Sequence, residues 1–376
     1  MKIWVIGRGY PTVSNGMWGS FELEQAKLLA RNGHDVSYIA LTLSFFSRKD
    51  PRGMRAFEDS GVNVYTYSHL YFPGKAGIYL EKYEDKCWHR LFDAAEKNGG
   101  LPDVIHIHYP SMLSSINETE KLRKKRVKIV VTEHWSRVLI NNLRKFERAR
   151  LEYYASHANC FACVSNALQK SVKKLSNVTV PMEIIPNIVS PLFFDSKPEK
   201  KEIDVFTFVA VGRLVPLKQF DVIIEQFKSV FSGNDKVRLK IIGSGSERKK
   251  LEKLAAGNDN IIITGGLPQS EVAKELANAD ALISYSKYET FAVPVAEAWA
   301  CGKPVIVSER SGIASAVKKE NGFVVKNDSV ESLKTAIKDL YDGYSIYSAE
   351  TIRDFASGLF CDSAVFKSIS SIYEKY

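Results

Sequence analysis

Two carboxylates, Glu289 and Glu297, stand on either side of Pro294 in the run Tyr288-Glu289-Thr290-Phe291-Ala292-Val293-Pro294-Val295-Ala296-Glu297. Proline suits the first position of a helix, so Glu289 falls in a loop and Glu297 in the first turns of the helix that follows. The loop amides after Glu289 then point towards an anion. Carboxylates beside a bound phosphate repel it unless they grip something else, and sugar hydroxyls are natural partners for them. A general-acid/base pair for hydrolysis is the competing chemistry, and a simple preference for negative charge at a helix start is the plainest alternative.

A second pair of charged residues lies upstream. The apolar run Val209-Ala210-Val211 passes into Gly212-Arg213-Leu214-Val215-Pro216-Leu217-Lys218. That puts a guanidinium and an ammonium at the carboxyl edge of a strand, where a fork and a point charge together balance a diphosphate. Near the start, Gly7-Arg8-Gly9-Tyr10-Pro11-Thr12 begins like a dinucleotide fingerprint but lacks its third glycine, and Pro11 removes an amide donor. The next loop, containing Gly16 and Gly19, leads into a helix whose free amides face an anion. Gly243-Ser244-Gly245 is a tight turn and says little by itself.

The elements that must carry these residues alternate short β-branched runs with longer amphipathic stretches, the pattern of parallel sheets covered by helices on both faces. Strands are predicted at 3–6, 36–41, 62–67, 104–107, 128–132 and 160–164, and again at 206–211, 237–242, 260–264, 281–284, 305–307 and 323–325. A helix from about Gly19 to Asn32 ends on Gly33. Four prolines, Pro181, Pro186, Pro191 and Pro198, mark a linker. The expected domains are 1–187 and 188–355, with a C-terminal helix near 356–376 packing back on the first.

At 376 residues the chain exceeds what one core usually serves, and 45% hydrophobic with 25% charged residues is ordinary for a globular protein. No apolar run is long enough for a membrane span, and the first apolar stretch is too short for a signal peptide, so a cytoplasmic location is expected. Five cysteines fit a reducing compartment, and the Cys160 and Cys163 pair lies in a buried-strand pattern that aims the two at opposite faces. The net charge of +9 belongs to the first half: residues 1–190 hold 27 basic and 18 acidic side chains, and the rest hold 25 of each. Its clusters at 122–128 and 144–150 suit either anionic lipid or a solvated helix face. Between His69 and Phe92, Tyr71, Phe72, Tyr79, Tyr83 and Trp88 mix with Lys75, Lys82 and Arg90, as a lipid-linked acceptor or an ordinary amphipathic helix would require. His106 and His108 share one strand face, where a packed or hydrogen-bonded pair is the expectation and no metal is assigned.

The segment from Glu289 to Val305 resembles the signature of retaining glycosyltransferases of family four, with the GT-B fold. Gly212-Arg213-Leu214 with Lys218, Ile185-Pro186-Asn187, Gly243-Ser244-Gly245, Ala279-Asp280-Ala281 and Gly33-His34-Asp35-Val36 extend the likeness over the whole chain, in the family's order. The resemblance implies two Rossmann-like doubly wound α/β domains facing a central cleft. It implies that Glu289 contacts the donor sugar, Glu297 the ribose, Arg213 and Lys218 the phosphates, and that the amides of Thr290, Phe291, Ala292 and Val293 cover the diphosphate. It implies a histidine near the reacting sugar, matched by His134, and His108 and Arg137 are taken for the acceptor. The family has glycine at Ala292 and Ile188, and a Gly-Gly pair followed by glutamate where this chain has Ser311-Gly312-Ile313-Ala314-Ser315.

The expected activity is therefore transfer of a hexose-like sugar, with retention and without metal or cofactor, from a UDP- or GDP-linked donor to a glycan or lipid-linked acceptor in bacterial cell-surface polysaccharide synthesis. The expected location is cytoplasmic, peripheral on the inner membrane face, with no nucleic-acid partner. A sugar-nucleotide epimerase of the same fold and a noncatalytic basic protein that binds membrane or nucleic acid are the rival readings.

Overall fold

The computed structural model of the chain describes residues 1–11, 18–44, 52–70, 77–199 and 205–376, with the backbone alone at 43–44, 69–70 and 77–82. It divides into two compact units, Met1–Ile188 with Phe366–Tyr376, and Val189–Val365.

The first unit holds an eight-stranded sheet of β1 (Lys2–Gly7), β2 (Asp35–Ser44), β3 (Gly53–Asp59), β4 (Val62–Leu70), β5 (Val104–His108), β6 (Lys128–Glu133), β7 (Cys160–Cys163) and β8 (Met182–Ile184). Its spatial order is β3-β4-β2-β1-β5-β6-β7-β8, with every pairing parallel except β3 against β4. The second unit holds β9 (Phe206–Val211), β10 (Val237–Ile242), β11 (Ile261–Gly265), β12 (Ala281–Ser284), β13 (Val305–Ser308) and β14 (Gly322–Val325), all parallel, in the order β11-β10-β9-β12-β13-β14. In both sheets the strand order reverses beside the first strand, at β1/β5 and at β9/β12. Ligands of open α/β sheets bind outside the carboxyl ends of the strands at such a reversal.

Parallel strands buried on both faces read as unbroken apolar runs, and β1 does so, with Ile3, Trp4 and Val5 fully enclosed. In the second unit Phe208, Leu239, Ile241, Ile283 and Ile306 from the sheet meet Ile223, Phe227 and Ile337 from the covering helices. The first helix runs Ser20–Arg31 and stops where Gly33 takes the left-handed conformation, φ +85°, that a helix end favours in glycine.

Two strands lie outside the sequence-based expectation. β3 is the arm of a two-residue hairpin into β4, turned by Ser60 and Gly61, both with positive φ, as the twist of a tight hairpin requires. β8 falls inside the proline-marked linker. It is three residues long and continues the sheet beside β7, too short a run for alternation to register. In the aromatic stretch before Phe92, Tyr83 is partly buried, and Trp88 is fully buried with its ring tilted against Phe92 at 5.7 Å, which in turn meets Trp4 at 5.5 Å. Tyr71, Phe72 and Lys75 lie outside the described residues. Cys160 and Cys163 are both free and buried.

Candidate functional site

In the second unit the carboxyl ends of β9, β12 and β13 gather most of the charged residues singled out above. After β9 the chain turns through Gly212 and exposed Arg213 to the short helical turn Pro216–Lys218. After β12 it passes Ser286 to Glu289. The Lys218 ammonium donates to Glu289 Oε1, and the same oxygen accepts from Ser286 Oγ at 3.0 Å. No described residue donates to Glu289 Oε2. The two side chains of the ion pair are 16% and 17% exposed. The backbone of Glu289 is fixed against the loop after β13: Glu289 N donates to Arg310 O at 3.1 Å, Gly312 N to Glu289 O at 2.9 Å, and Ile313 N to Phe291 O at 3.1 Å.

Ala292 opens the helix Val293–Ala300 from the left-handed region, φ +78°, and Pro294 occupies its first turn. A left-handed alanine is costly, about 1–2 kcal/mol, and such strain collects at functional sites. Among the described residues nothing accepts from the amides of Thr290, Phe291, Ala292 or Val293, which leaves a row of donors at a helix start with an ammonium beside it. Phe291 itself is buried, edge-on to Phe360 at 5.6 Å. Glu297, partly buried on this helix, has no hydrogen-bond partner among the described residues, and burial pushes its carboxyl up to about 8.

The turn Gly243-Ser244-Gly245, mute in the sequence, holds the Arg213 loop in place. Gly212 N donates to Ile242 O at 3.0 Å and Leu214 N to Ser244 O at 2.9 Å. A Cβ on Gly243 would sit 1.8 Å from the Gly212 carbonyl oxygen, so only glycine permits this approach of backbone to backbone.

The carboxyl ends of β1, β5 and β6 in the first unit gather a second cluster. His108 Nδ1 and His134 Nε2 are 2.9 Å apart, and His134 is hydrogen-bonded to the Asn187 side chain. His106 lies 4.5 Å from His108, ring on ring. Its Nδ1 accepts from Gln25 Nε2 at 3.1 Å, so its Nε2 carries the proton and donates to Thr132 Oγ1 at 2.7 Å. Tyr373, from the last helix, also reaches His106 Nδ1, at 2.7 Å. Burial holds all three imidazoles well below the usual histidine range, with the nearby Arg8 charge adding to the effect on His108 and His134. They are neutral at physiological pH. Among the described residues no group of three or more metal-ligating side chains comes together.

Sequence reasoning missed Arg8, Tyr109 and Glu133 here. The Arg8 guanidinium lies 3.9 Å from the Tyr109 ring centroid, Tyr109 stacks at 4.7 Å on His134, and Arg8 pairs at 2.7 Å with fully buried Glu22. Glu133 accepts from Ser111 Oγ and, at 2.9 Å, from the amides of His134 and Trp135, which fixes the strand end that carries His134. A charged residue at the carboxyl end of a buried strand was the available signal for both Arg8 and Glu133.

The remaining assignments fare differently. Gly16 lies outside the described residues. Gly19 is buried, φ +82°, and a Cβ there would meet Gly9 O at 2.0 Å, so its glycine identity is explained by loop packing. Arg137 is occupied within its own unit, by Glu147 at 2.9 Å, Asn142 O at 2.6 Å and the Trp135 ring at 4.8 Å. The basic run at 122–128 is partly neutralised by Glu120 on Arg123 and Glu96 on Lys125, and in the second run Arg150 is buried against Glu84. No helix of the described residues is long and apolar enough to cross a membrane.

Comparison with known proteins identifies the family and the fold. The family model described as Glycosyltransferase Family 4 matches residues 22–191, and that described as Glycosyl transferases group 1 matches residues 193–361. N-acetyl-alpha-D-glucosaminyl L-malate synthase of Bacillus anthracis is 22% identical over 89% of this chain and 86% of its own. Among solved structures, Anabaena HepE in complex with UDP and glucose superposes with a TM-score of 0.69 at 16% identity, and the lipopolysaccharide outer core galactosyltransferase WaaB with 0.70 at 18%, each over the full length of both chains. With its two halves matched in succession and its two parallel-sheet units like those of GT-B enzymes, the chain belongs to the family-four, group 1 glycosyltransferases.

Proposed function

We propose that this glycosyltransferase moves a sugar from a nucleotide-sugar donor to a glycan or lipid-linked acceptor with retention of configuration, and does so without a metal ion. The observation that carries the reading is the β9/β12 edge. There Arg213, Lys218 and four unpaired amides supply positive charge for a diphosphate, while Glu289 and Glu297 offer acceptor oxygens for hydroxyls. Preorganised donors aimed at a departing diphosphate stabilise the charge that develops as the bond to the sugar breaks.

In this scheme the bond between the anomeric carbon and the phosphate oxygen breaks, the acceptor oxygen bonds to the same face of the sugar, and its proton passes to the leaving phosphate. His134, neutral and hydrogen-bonded to His108, has a positioning role in this reading and is not a nucleophile. The UDP-and-glucose complex of HepE favours a UDP-linked donor, with GDP-linked sugars as the alternative, and likeness to a lipopolysaccharide outer core galactosyltransferase favours a role in cell-surface polysaccharide. Peripheral attachment to the inner membrane face belongs to the same reading and rests on the excess charge of the first 190 residues.

A thermal-shift screen of UDP-, GDP- and ADP-sugars, followed by a product assay with and without acceptor, tests it. Sugar release that needs no acceptor would point to an epimerase, and loss of activity in excess chelator would overturn the metal-free scheme.

A further inference from the structure

One buried hydroxyl beside Glu289 has no hydrogen-bond partner. Ser311 is 3% exposed, and its Oγ meets neither donor nor acceptor among the described residues. It is nevertheless held rigidly. Ser311 forms a parallel bridge with Glu289, its amide donates to Ser308 O at 2.9 Å, and Ala314 N donates to its carbonyl at 3.0 Å. Paired positions of parallel strands project to the same face of the sheet. The two side chains therefore leave the bridge on the same face, one with a hydroxyl that has no partner and the other with an oxygen, Oε2, to which no described residue donates, while Lys218 and Ser286 hold Oε1. An unsatisfied buried hydroxyl costs stability in the state that leaves it unpaired, and a second state that pairs it explains its presence.

We infer that Ser311 is the positioning residue that takes over the Glu289 carboxylate when Lys218 turns to a donor diphosphate. Lys218 cannot give its full charge to both anions, so a diphosphate drawing it away loosens Glu289 at the moment the sugar arrives. The Ser311 hydroxyl then donates to Oε2, Ser286 keeps Oε1, and the carboxylate stays in place with lone pairs turned to a sugar hydroxyl. The inference rests on the donor reading above for the identity of the diphosphate. The pairing of Ser311 with a released Glu289 can be tested without any ligand.

In the otherwise unchanged protein, Ser311→Ala should leave the melting temperature the same or raise it, because it removes an unpaired hydroxyl. In a Lys218→Met background, where Glu289 is already released, the same substitution should lower it, and Lys218→Ala repeats the comparison if Lys218→Met folds poorly. Titration with UDP alone should show Ser311→Ala binding roughly threefold to tenfold more weakly than the parent, the range for one hydrogen bond, with Ser311→Thr recovering part of the loss. Equal melting shifts in both backgrounds would overturn the inference, as would unchanged UDP affinity in Ser311→Ala. If the parent protein bound none of UDP, GDP and ADP, the donor reading would fail and the melting comparison would still decide the role of Ser311.

Discussion

Acidification should unfold the first unit by charging its three buried histidines. An imidazole whose folded pKa lies below its unfolded value leaves the unfolded chain holding more protons as pH falls, so stability present above about 6.5 is lost on acidification. His106, His108 and His134 are 0%, 1% and 9% exposed, and each is held well below the usual range. About one pH unit below 6.5, each contributes a loss of about 1.4 kcal/mol while it stays neutral in the fold, and the three together lose about 4 kcal/mol. Set against a typical folding stability of about 5–15 kcal/mol, that is a large share. Hydrogen exchange read separately on peptides from β1, β5 and β6 and on those from β9 and β13 assigns the loss to a unit. Protection in the first group should fall steeply between about pH 6.5 and pH 5.5, and His106→Gln should make the slope shallower by about one third. Equal loss in both groups of peptides, or a slope untouched by the substitution, would refute the argument.

Other outcomes follow from the second unit. Glu297 is raised to about 8, so its contribution to stability is present below about 4.5 and is lost as pH rises towards 8, opposite in sign to the histidines. If its anion grips ribose hydroxyls, UDP affinity should climb with pH over the same interval, and a calorimetric titration of Glu297→Gln should lose that climb. Arg213→Ala and Lys218→Met should each cut turnover by roughly a hundredfold or more with the fold retained, as steady-state kinetics beside a melting curve would establish. Gly243→Ala drives a Cβ to 1.8 Å from a backbone oxygen and should cost about 3 kcal/mol or more in urea unfolding. Gly257→Ala, left-handed at φ +76° but with nothing within 4 Å, should cost only about 1–2 kcal/mol.

How much of this was legible in the sequence depended on how far apart the partners lie along the chain. β9, β10 and β12 could be read to the residue, β12 because a strand buried on both faces writes itself as a continuous apolar run, and β10, with Arg238 and Lys240 only partly buried, because its β-branched and apolar residues alternate with charged ones. β3 escaped because it is an edge strand with most of its residues exposed, and its Ser60-Gly61 turn was a usable signal that went unread. Arg213 and Lys218 stood out because they follow a buried strand within one short loop, and Glu289 because Pro294 marks a helix start between it and Glu297.

Sequence by itself determined which residue types arrive at the carboxyl edges of the two sheets, since strand length and helix starts are local matters of periodicity and backbone preference. Only the tertiary structure decided what those residues do to one another. The Lys218–Glu289 ion pair joins positions 71 apart and the His106–Tyr373 hydrogen bond positions 267 apart. The neutral state of the histidines, the unpartnered carboxyl of Glu297 and the idle hydroxyl of Ser311 arise from burial and from groups brought together by strand order. Desolvation and hydrogen bonding act through space at a few ångströms, and the linear order of residues carries no record of which distant segments will be that close.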